Sequence, residues 1–539
     1  MKRQSVVQIE SLESRQLLAA TLLTVVATQP DASESNRTTT GKGVLIFSRI
    51  KGDTSVPLTI KYAINGLSTA QNSVDFETLN GRVTIPAGKR SVSLGLVPIN
   101  DSIDEPIENV QISIKDLPTY SVKTRHAYLR IKDNDPPVST QGWWNTSYRF
   151  RAPITVDVGS FARADHPVEQ SINFTPLLSE AGGSGALIDD SIRVIETSAD
   201  GKQVLDANVA FQFDKASNFN ATSNAAGKLV FIVKGSTSAS TTRKYHVYFD
   251  TAGTFTPFSF SSQVITDSNS SDEGQSAIKI TTDSATYWLQ KENGGFSSIE
   301  DADGNDWLGF NPSSGSQSAG EYRGTPNMVF PGGGLHPGFD NATTAIIDSG
   351  PLKTTIETTA SIDKQIPGSP FTYKVRYEIY GTFVRTTVVE AGSSYWFLYE
   401  GTPGGSIDGN DTVVRSDGQV TDINTAWNDS DGLGSGNGEE WLYFRDSGVN
   451  RFMYYVHNTP DNLYDMYRAQ NDGGGAMTVF GFGRDDTQQD PNRHKMTSQN
   501  NVFTFGIAGG GGDFNAASAA INGTYRDVTV TIGGGQQLT

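Results

Sequence analysis

The sequence predicts an all-β protein made of several antiparallel β-sandwiches. Short segments in which apolar and polar residues alternate recur from residue 22 to residue 532, and Gly, Pro, Asn or Asp residues separate them. Glycine accounts for 56 of the 539 residues, and runs of Ala, Leu, Glu and Lys that would favour helices are almost absent. At roughly 100–200 residues per domain, this length allows about three domains.

The composition excludes several classes of partner and chemistry. The 59 acidic and 42 basic side chains give a formal charge of −17, which opposes binding to nucleic-acid phosphates and to anionic lipid. The chain has no cysteine, so disulfides, thiolate nucleophiles and Cys-ligated metals are excluded. Any metal ion must therefore be bound by oxygen or imidazole.

Residues 1–21 are predicted to be an export leader. Glu10, Glu13 and Arg15 interrupt the apolar stretch that an ordinary signal peptide needs. However, ESLESRQLLAA (residues 10–20) resembles the short LE-x-R-x-LL-A leader of exported and surface proteins of planctomycete-type bacteria. This resemblance implies a secreted or cell-surface protein. No other segment reaches the roughly 18 consecutive apolar residues of a membrane span, so none is predicted.

Residues 22–135 are predicted to form the first sandwich. Six alternating segments follow one another: GVLIFSRI, PLTIKYAI, GRVTIP, SVSLGLVPI, NVQISIKDL and HAYLRIKDND. Their order, with Glu34 before the first of these strands, VDFE in the middle and a closing IKDND, resembles the Calx-β domain. In that family, acids at one end of the sandwich can bind Ca²⁺, which takes several loop oxygens. The resemblance implies the candidate ligands Glu34, Asp75, Asp101, Asp104, Asp133 and Asp135, although Asn100 replaces an acid that the family often has. The alternative is that these residues only cap turns.

Residues 142–260 are predicted to form a second, accessory sandwich. The Pro136-Pro137 pair before it indicates an extended connector. Alternating segments such as RFRAPITVDV and KYHVYF then indicate strands with one solvent-exposed face. The polar run from Ser261 to Ser276 has few apolar residues and is predicted to mark the next boundary.

Residues 277–535 are predicted to form a large double-layer sandwich of some ten strands. Its opening, TTDSATYWLQKENGGFSSIEDADGNDWLGF (residues 281–310), has a strand, a Gly-Gly turn and a D-x-x-G-x-x-W pattern. This opening resembles the galactose-mutarotase-like supersandwich, a fold found in sugar epimerases and in polysaccharide lyases and hydrolases. The resemblance implies a carbohydrate-active protein, and it places no catalytic residue by itself.

Candidate site residues come from the long loops and aromatic strands of this third segment. His336 lies in the glycine-rich loop PGGGLHPG. In the run SYWFLYEG, strand alternation separates Tyr399 from Trp396 and Glu400. One face is expected to enter the core and the other to stack on sugar rings, and the alternative is that the whole run is an aromatic-rich core strand. The segments EEWLYFR and RFMYYVH are expected to pair as a hairpin. This hairpin supplies the candidates Glu440, Trp441, Arg445, Tyr455 and His457, and the later loop Gly481–Lys495 supplies Arg484.

Two mechanisms compete for these residues. β-Elimination of a uronate-containing polysaccharide needs a base, an acid and a cation for the carboxylate. His336 or His457 as base, Tyr399 or Tyr455 as acid, and Arg445 or Arg484 as cation would supply them, with Trp396, Trp441 and Glu440 in substrate binding. Hydrolysis instead needs two carboxylates, which Glu400 with Glu439 or Glu440 could provide.

The residue pattern favours the lyase, and a non-catalytic glycan-binding or adhesion protein remains the alternative from another class. The segment with His457, Asn458, Asp461 and Asp465 is also oxygen-rich enough for a second Ca²⁺ site.

Overall fold

The chain is all-β apart from two short α-helices and two 3₁₀ turns in its described part. The computed structural model describes residues 21–34, 41–65, 68–99, 107–115, 117, 119–132, 142–292, 294–308, 324–329, 342–361, 372–429, 433, 438–470, 477–485, 495–497 and 499–538. Neither α-helix is long and apolar enough to cross a membrane. The chain divides into two compact units, Met1–Gln141 with Gln537–Thr539, and Gly142–Gln536.

The first unit is a β-sandwich. Its described strands are β1 (Leu22–Gln29), β2 (Asp31–Ser33), β3 (Gly43–Lys51), β4 (Leu58–Ile64), β5 (Arg82–Ile85), β6 (Ser91–Leu96), β7 (Glu108–Ile114), β8 (Ser121–Thr124) and β9 (His126–Lys132). They form one sheet of order β6-β3-β1-β8 and another of order β2-β9-β7-β4-β5. Alternate residues such as Leu45 and Phe47 from one sheet and Val110 and Ile112 from the other fill a common core.

The second unit begins with another sandwich. Its elements are β10 (Phe150–Asp157), β11 (Arg163–Asn173), α1 (Phe174–Glu180), a 3₁₀ turn (Asp189–Ser191), β12 (Arg193–Thr197), β13 (Val204–Val209), β14 (Phe211–Lys215), β15 (Ala226–Thr237) and β16 (Thr242–Phe249). The chain's last strands, β35 (Thr529–Ile532) and β36 (Gln536–Gln537), pair with β10. The resulting sheet β13-β12-β16-β10-β35 packs on the sheet β11-β15-β14.

The remaining strands of the second unit surround one large core. They are β17 (Val264–Asp272), β18 (Gln275–Thr282), β19 (Ala285–Gln290), β20 (Phe296–Asp301), β21 (Asn327–Val329), β22 (Thr343–Ser349), β23 (Lys353–Ser361), β24 (Thr372–Tyr380), β25 (Val384–Ala391), β26 (Trp396–Gly401), β27 (Asp411–Arg415), β28 (Val420–Asp422), β29 (Trp427–Asp429), β30 (Trp441–Asp446), β31 (Arg451–His457), β32 (Asp465–Gln470), β33 (Met477–Phe482) and β34 (Asn501–Gly509). A 3₁₀ turn (Pro403–Gly405) follows β26, and α2 (Phe514–Tyr525) follows β34.

These strands form three sheets in the described part of the chain. Their orders are β17-β18-β19-β20, β21-β26-β33-β32-β29 and β22-β23-β24-β25-β34-β31-β30-β27-β28. We call the second of them the five-stranded sheet and the third the nine-stranded sheet. Side chains from all three meet in the core, including Phe296, Tyr399 and Phe444.

The D-x-x-G-x-x-W motif builds a turn that leads into this core. Asp301 accepts hydrogen bonds from the backbone N–H of Asp303 and Asn305, and Gly304 has φ +85°. Trp307 is fully buried, and its indole N–H donates to the carboxylate of Asp301 at 3.2 Å. The motif therefore fixes the start of the large sandwich.

Two parts of the structure differ from the sequence prediction. The polar run from Ser261 to Ser276 contains strand β17, which pairs with β18 although only Val264 in it is buried. Backbone hydrogen bonds at a sheet edge need no apolar side chains, which explains the difference. In addition, β35 belongs to the sheet of the second sandwich rather than to the large one that precedes it.

Candidate functional site

The outer side of the five-stranded sheet carries a group of polar and aromatic side chains. Tyr395, just before β26, and Phe397 and Tyr399 of β26 are buried in the core, so Trp396 and Glu400 point to the opposite side. Val479 of β33 pairs with both Glu400 and Arg468 of the neighbouring strands, which places these two on the same side. We call Trp396, Glu400, Arg468 and Arg484 the polar face.

Two glycines position Arg484 on the polar face. Gly483 has φ +68°, which turns the chain after β33. A Cβ at Gly481 would lie 2.9 Å from the Cβ of Arg484 and 2.3 Å from a methyl group of Leu398, so only glycine leaves room there. The guanidinium lies 5.8 Å from the ring centroid of Trp396, and its Nη1 donates to the carbonyl of Val479 at 3.4 Å.

The polar face combines an aromatic ring with charges of both signs. The amino group of Lys495 lies 6.0 Å from the Trp396 ring centroid, so two cations border the indole. Glu400 and Arg484 are buried, whereas Trp396 and Arg468 are half-buried and form the more open part. Beyond Arg484, Asp485 lies near the amide of Asn428 at 3.5 Å, on the same side of the sheet. The sequence analysis did not identify Arg468 and Asp485. Alternation with the buried Tyr467 is the signal that could have found Arg468, whereas Asp485 lies beyond the turn at Gly483, where strand alternation no longer applies.

The two phenols predicted as acids lie in the core instead. Tyr399 and Tyr455 are buried, with ring centroids 4.9 Å apart, and Tyr399 donates its hydroxyl to the carbonyl of Trp307 at 2.7 Å. Burial raises the pKa of both phenols well above the usual value. They stabilise the core, and the acid role predicted for them does not fit their position.

Trp441 and Arg445 also lie away from the polar face. Trp441 is fully buried beneath α2, stacked on Phe514 at 6.0 Å, and its indole N–H donates to Glu439 at 2.8 Å. Arg445 lies beside Gly512, in the segment that leads into α2. These residues are on strand β30 of the other layer, so the sugar-binding role predicted for Trp441 and the clamping role predicted for Arg445 do not fit a site on the polar face.

His457 and Glu440 form a buried cluster with Asp461 at one end of the β30–β31 hairpin. The Nδ1 atom of His457 is 2.9 Å from Oε2 of Glu440 and 3.9 Å from Oδ2 of Asp461. Burial lowers the pKa of His457 to about 4. Burial also raises the pKa of Glu440 well above its usual value, and the nearby carboxylate of Asp461 raises it further. His457 has 2% of its surface exposed and lies in this cluster rather than on the polar face. We call Glu440, His457 and Asp461 the imidazole–carboxylate cluster.

The remaining predicted residues fall into two groups. Glu34 and Asp75 of the first unit are both buried, and Asp75 accepts a hydrogen bond from the backbone N–H of Gln71 at 2.5 Å. His336 and the other calcium candidates Asp101, Asp104, Asp133 and Asp135 lie outside the described residues. The calcium prediction for the first unit is therefore untested.

A charged cleft lies within the second unit, and the sequence analysis did not predict it. The cleft has a volume of about 850 Å³ and is lined by residues of β14, β15 and β23, including Asp214, Lys228 and Lys353. The buried amino group of Lys353 lies 2.5 Å from Glu169 and 3.1 Å from Asp214. This ion-pair network joins the second sandwich to the nine-stranded sheet.

Comparisons with known proteins give only distant similarity in fold. No model of a known protein family matches the sequence, and no curated protein matches it. An α-mannosidase structure from Enterococcus faecalis V583 is 11% identical with a TM-score of 0.38, over 74% of this chain and 48% of the other. A galactose mutarotase related enzyme from Lactobacillus acidophilus is 10% identical with a TM-score of 0.27, over 43% of this chain and 97% of the other.

The apo-form Calx CBD1 domain is 18% identical with a TM-score of 0.18, over 21% of this chain and 98% of that domain. The chain thus spans about half the length of the α-mannosidase that it resembles.

Proposed function

We propose that this chain is a carbohydrate-active protein and that its polar face binds polysaccharide. The observation that carries the proposal is the strand register that brings Trp396, Glu400 and Arg484 to one side of the five-stranded sheet. A flat indole with nearby charged hydrogen-bonding groups suits a sugar ring, which has an apolar face and a polar edge. Two guanidinium groups on this face favour a polymer that carries carboxylates.

The reaction that we propose is β-elimination of a uronate-containing polysaccharide. Arg484 and Arg468 would hold the uronate carboxylate and stabilise the negative charge that develops when its α-proton leaves. Glu400 would accept that proton, the bond between the sugar carbon and the glycosidic oxygen would break as a new C=C bond forms, and the departing oxygen would take a proton from solvent water. This assignment replaces His457, which lies in the imidazole–carboxylate cluster, and the two phenols, which lie in the core, because none of these groups is on the polar face.

Hydrolysis is the second candidate, and one observation favours it. Glu400 and Asp485 lie on the same side of the five-stranded sheet, and glycoside hydrolysis needs two carboxylates that flank the scissile bond. Binding without cleavage is the third possibility, because the same groups would hold a glycan without any reaction.

One set of assays separates these three possibilities. The full chain is incubated with pectic, alginate and ulvan-type polymers, and absorbance at the unsaturated-uronate band, reducing ends and retention on an affinity gel are measured. Rising absorbance supports elimination, reducing ends alone support hydrolysis, and retention alone supports binding. No signal in any assay with any of these polymers would contradict the proposal.

Variants then test the polar face itself. We expect Glu400→Gln to lower turnover about 100-fold or more while polymer retention persists, because the general base is lost. Arg484→Gln should weaken binding of acidic polymers about tenfold, because a charge-assisted contact is lost. Arg445→Gln is the matched control, since Arg445 lies near α2 rather than on the polar face. Equal activity in all three variants would exclude the polar face as the site.

Two further proposals concern the N-terminal part of the chain. We propose that residues 1–21 direct export, which fractionation of the producing cell and sequencing of the mature N-terminus would test. We also propose that the first unit binds Ca²⁺ through Asp75 and the other acids predicted there. Calorimetric titration of the full chain should then show Ca²⁺ binding that Asp75→Asn weakens.

A further inference from the structure

The imidazole–carboxylate cluster brings three metal-binding side chains to one point. Ligand atoms of Glu440, His457 and Asp461 all lie within 4.8 Å of one another. Glu440 immediately precedes β30 and His457 ends β31, and the backbone N–H of His457 donates to the carbonyl of Glu440 at 2.9 Å. The hairpin therefore fixes two of the three groups, and the turn after β31 supplies the third.

A second observation points to a ligand at this cluster. Glu440 has 1% of its surface exposed, and its Oε2 atom accepts the backbone N–H of Asp461 at 2.8 Å. Its other oxygen, Oε1, is buried without a hydrogen-bond partner in the described part of the chain. An unsatisfied buried carboxylate oxygen is costly, and a cation bound to it would remove that cost. Asp461 has 31% of its side chain exposed, so an ion could enter from solvent.

The neighbouring oxygen-rich side chains are already used for other contacts. Both carboxylate oxygens of Asp465 accept backbone N–H groups, from Leu433 at 3.0 Å and from Gly483 at 3.1 Å. The side-chain oxygen of Asn458 accepts the hydroxyl of Thr504 at 2.9 Å. The available donors are therefore one imidazole nitrogen and two carboxylates.

We propose that Glu440, His457 and Asp461 bind a divalent transition-metal ion such as Zn²⁺. One nitrogen and two carboxylate donors suit Zn²⁺, which needs only three or four ligands at about 2.0–2.2 Å. Ca²⁺ needs six to eight oxygens, more than these side chains offer, so Zn²⁺ fits this set better than the Ca²⁺ predicted for the segment. The proposal does not depend on polysaccharide binding at the polar face.

The ion would connect the two layers of the large sandwich at this end. Glu440 immediately precedes β30 and His457 ends β31 of the nine-stranded sheet, and Asp461 lies in the turn that leads to β32 of the five-stranded sheet. Asp465, at the start of β32, accepts the N–H of Gly483 and so fixes the residue before Arg484. The metal site would therefore be a structural clamp rather than a reaction centre.

The test uses the untagged full chain after treatment with EDTA and dialysis. Metal analysis after exposure to Zn²⁺ should give one ion per chain. Zn²⁺ should also raise the thermal-unfolding midpoint by a few degrees, because an ion that binds only the folded state stabilises it by mass action. Ca²⁺ and Mg²⁺ are run in parallel, and neither should give the same rise at equal concentration. Co²⁺ serves as a spectroscopic probe, and visible absorption bands are expected when it binds imidazole and carboxylates.

Asp461→Asn is the main variant because its side chain is partly exposed, and we expect it to lower Zn²⁺ affinity at least tenfold. Glu440→Gln should abolish the Co²⁺ bands, and Asp267→Asn, an exposed aspartate outside the cluster, should leave them unchanged. The proposal is overturned if the wild-type chain retains no Zn²⁺, or if Asp461→Asn binds Zn²⁺ as tightly as the wild type. If Glu440→Gln does not fold, the Asp461→Asn affinity alone decides.

Discussion

The carboxyl group of Asp411 gives the second unit a pH dependence of stability. Asp411 is 1% exposed and lies opposite Asp446 in the β27–β30 pair. Burial raises its pKa to about 7, and the nearby carboxylates of Asp446 and Asp408 add to the effect. The folded chain therefore favours the neutral carboxylic acid of Asp411. An aspartate in an ion pair behaves in the opposite way, because its partner cation lowers the pKa.

We predict that Asp411→Asn stabilises the chain at pH 8 but not at pH 4. The folded state binds a proton at Asp411 that the unfolded state releases near pH 3.8, so stability falls as the pH rises from about 4 through about 7. The neutral amide avoids this loss, and we expect a gain of about 1–2 kcal/mol at pH 8. Thermal-unfolding midpoints at both pH values measure it, with Asp267→Asn as the control. An equal effect of Asp411→Asn at pH 4 and pH 8 would refute the prediction.

At the level of secondary-structure elements, α2 closes the outer side of the nine-stranded sheet. The side chain of Asp513 caps the helix by accepting the backbone N–H groups of Asn515 and Ala516. Ala517, Ile521 and Tyr525 recur every four residues and pack on the outer aromatic side chains of β30 and β31. A sheet with one face in the core and the other beneath a helix is buried on both sides.

We predict that Ile521→Ala destabilises the second unit by about 2–4 kcal/mol, because it removes buried methyl groups and leaves a cavity. Ile521 is fully buried, whereas Ala519 on the same helix is exposed. Ala519→Ser is therefore the matched control and should change stability by less than about 0.5 kcal/mol. The thermal-unfolding midpoint reports the change. A shift for Ile521→Ala no larger than that of the control would show that α2 contributes little to the folded state.

The burial of strand β30 on both faces shows where prediction from the sequence succeeded and where it failed. Period-two alternation correctly separated the core residue Tyr399 from Trp396 and Glu400, and it predicted the β30–β31 hairpin. It could not show that the second aromatic face of β30, with Trp441, is covered by α2 rather than open to a sugar. Alternation shows that two faces differ, but packing of distant segments decides what each face contacts.

At the scale of the whole molecule, residues far apart in sequence complete the second sandwich. The guanidinium of Arg163 donates to the carbonyls of Gly523 at 2.8 Å and Arg526 at 2.6 Å. Strand β35 then pairs with β10, and Val530 and Ile532 pack against the core of the second sandwich. Together with the Lys353 ion pairs, these contacts make the second sandwich and the large sandwich parts of one compact unit. Loss of the C-terminal segment should therefore lower the stability of the second sandwich, although the other strands of that sandwich end at Phe249.

We predict that truncation after Arg526 destabilises the second sandwich by at least about 3 kcal/mol. The truncation removes three partly buried apolar side chains, Val528, Val530 and Ile532, and leaves one edge of β10 without its backbone partner. Hydrogen exchange of the β10 amides should accelerate, because local opening needs less free energy when a neighbouring strand is lost. In the first unit, exchange of the β7 amides serves as the internal reference, and Thr531→Ser in the full chain controls for a change at an exposed position of β35. If β10 exchanges at the full-length rate after truncation, then β35 only covers an already stable sheet, and the second sandwich folds independently of the end of the chain.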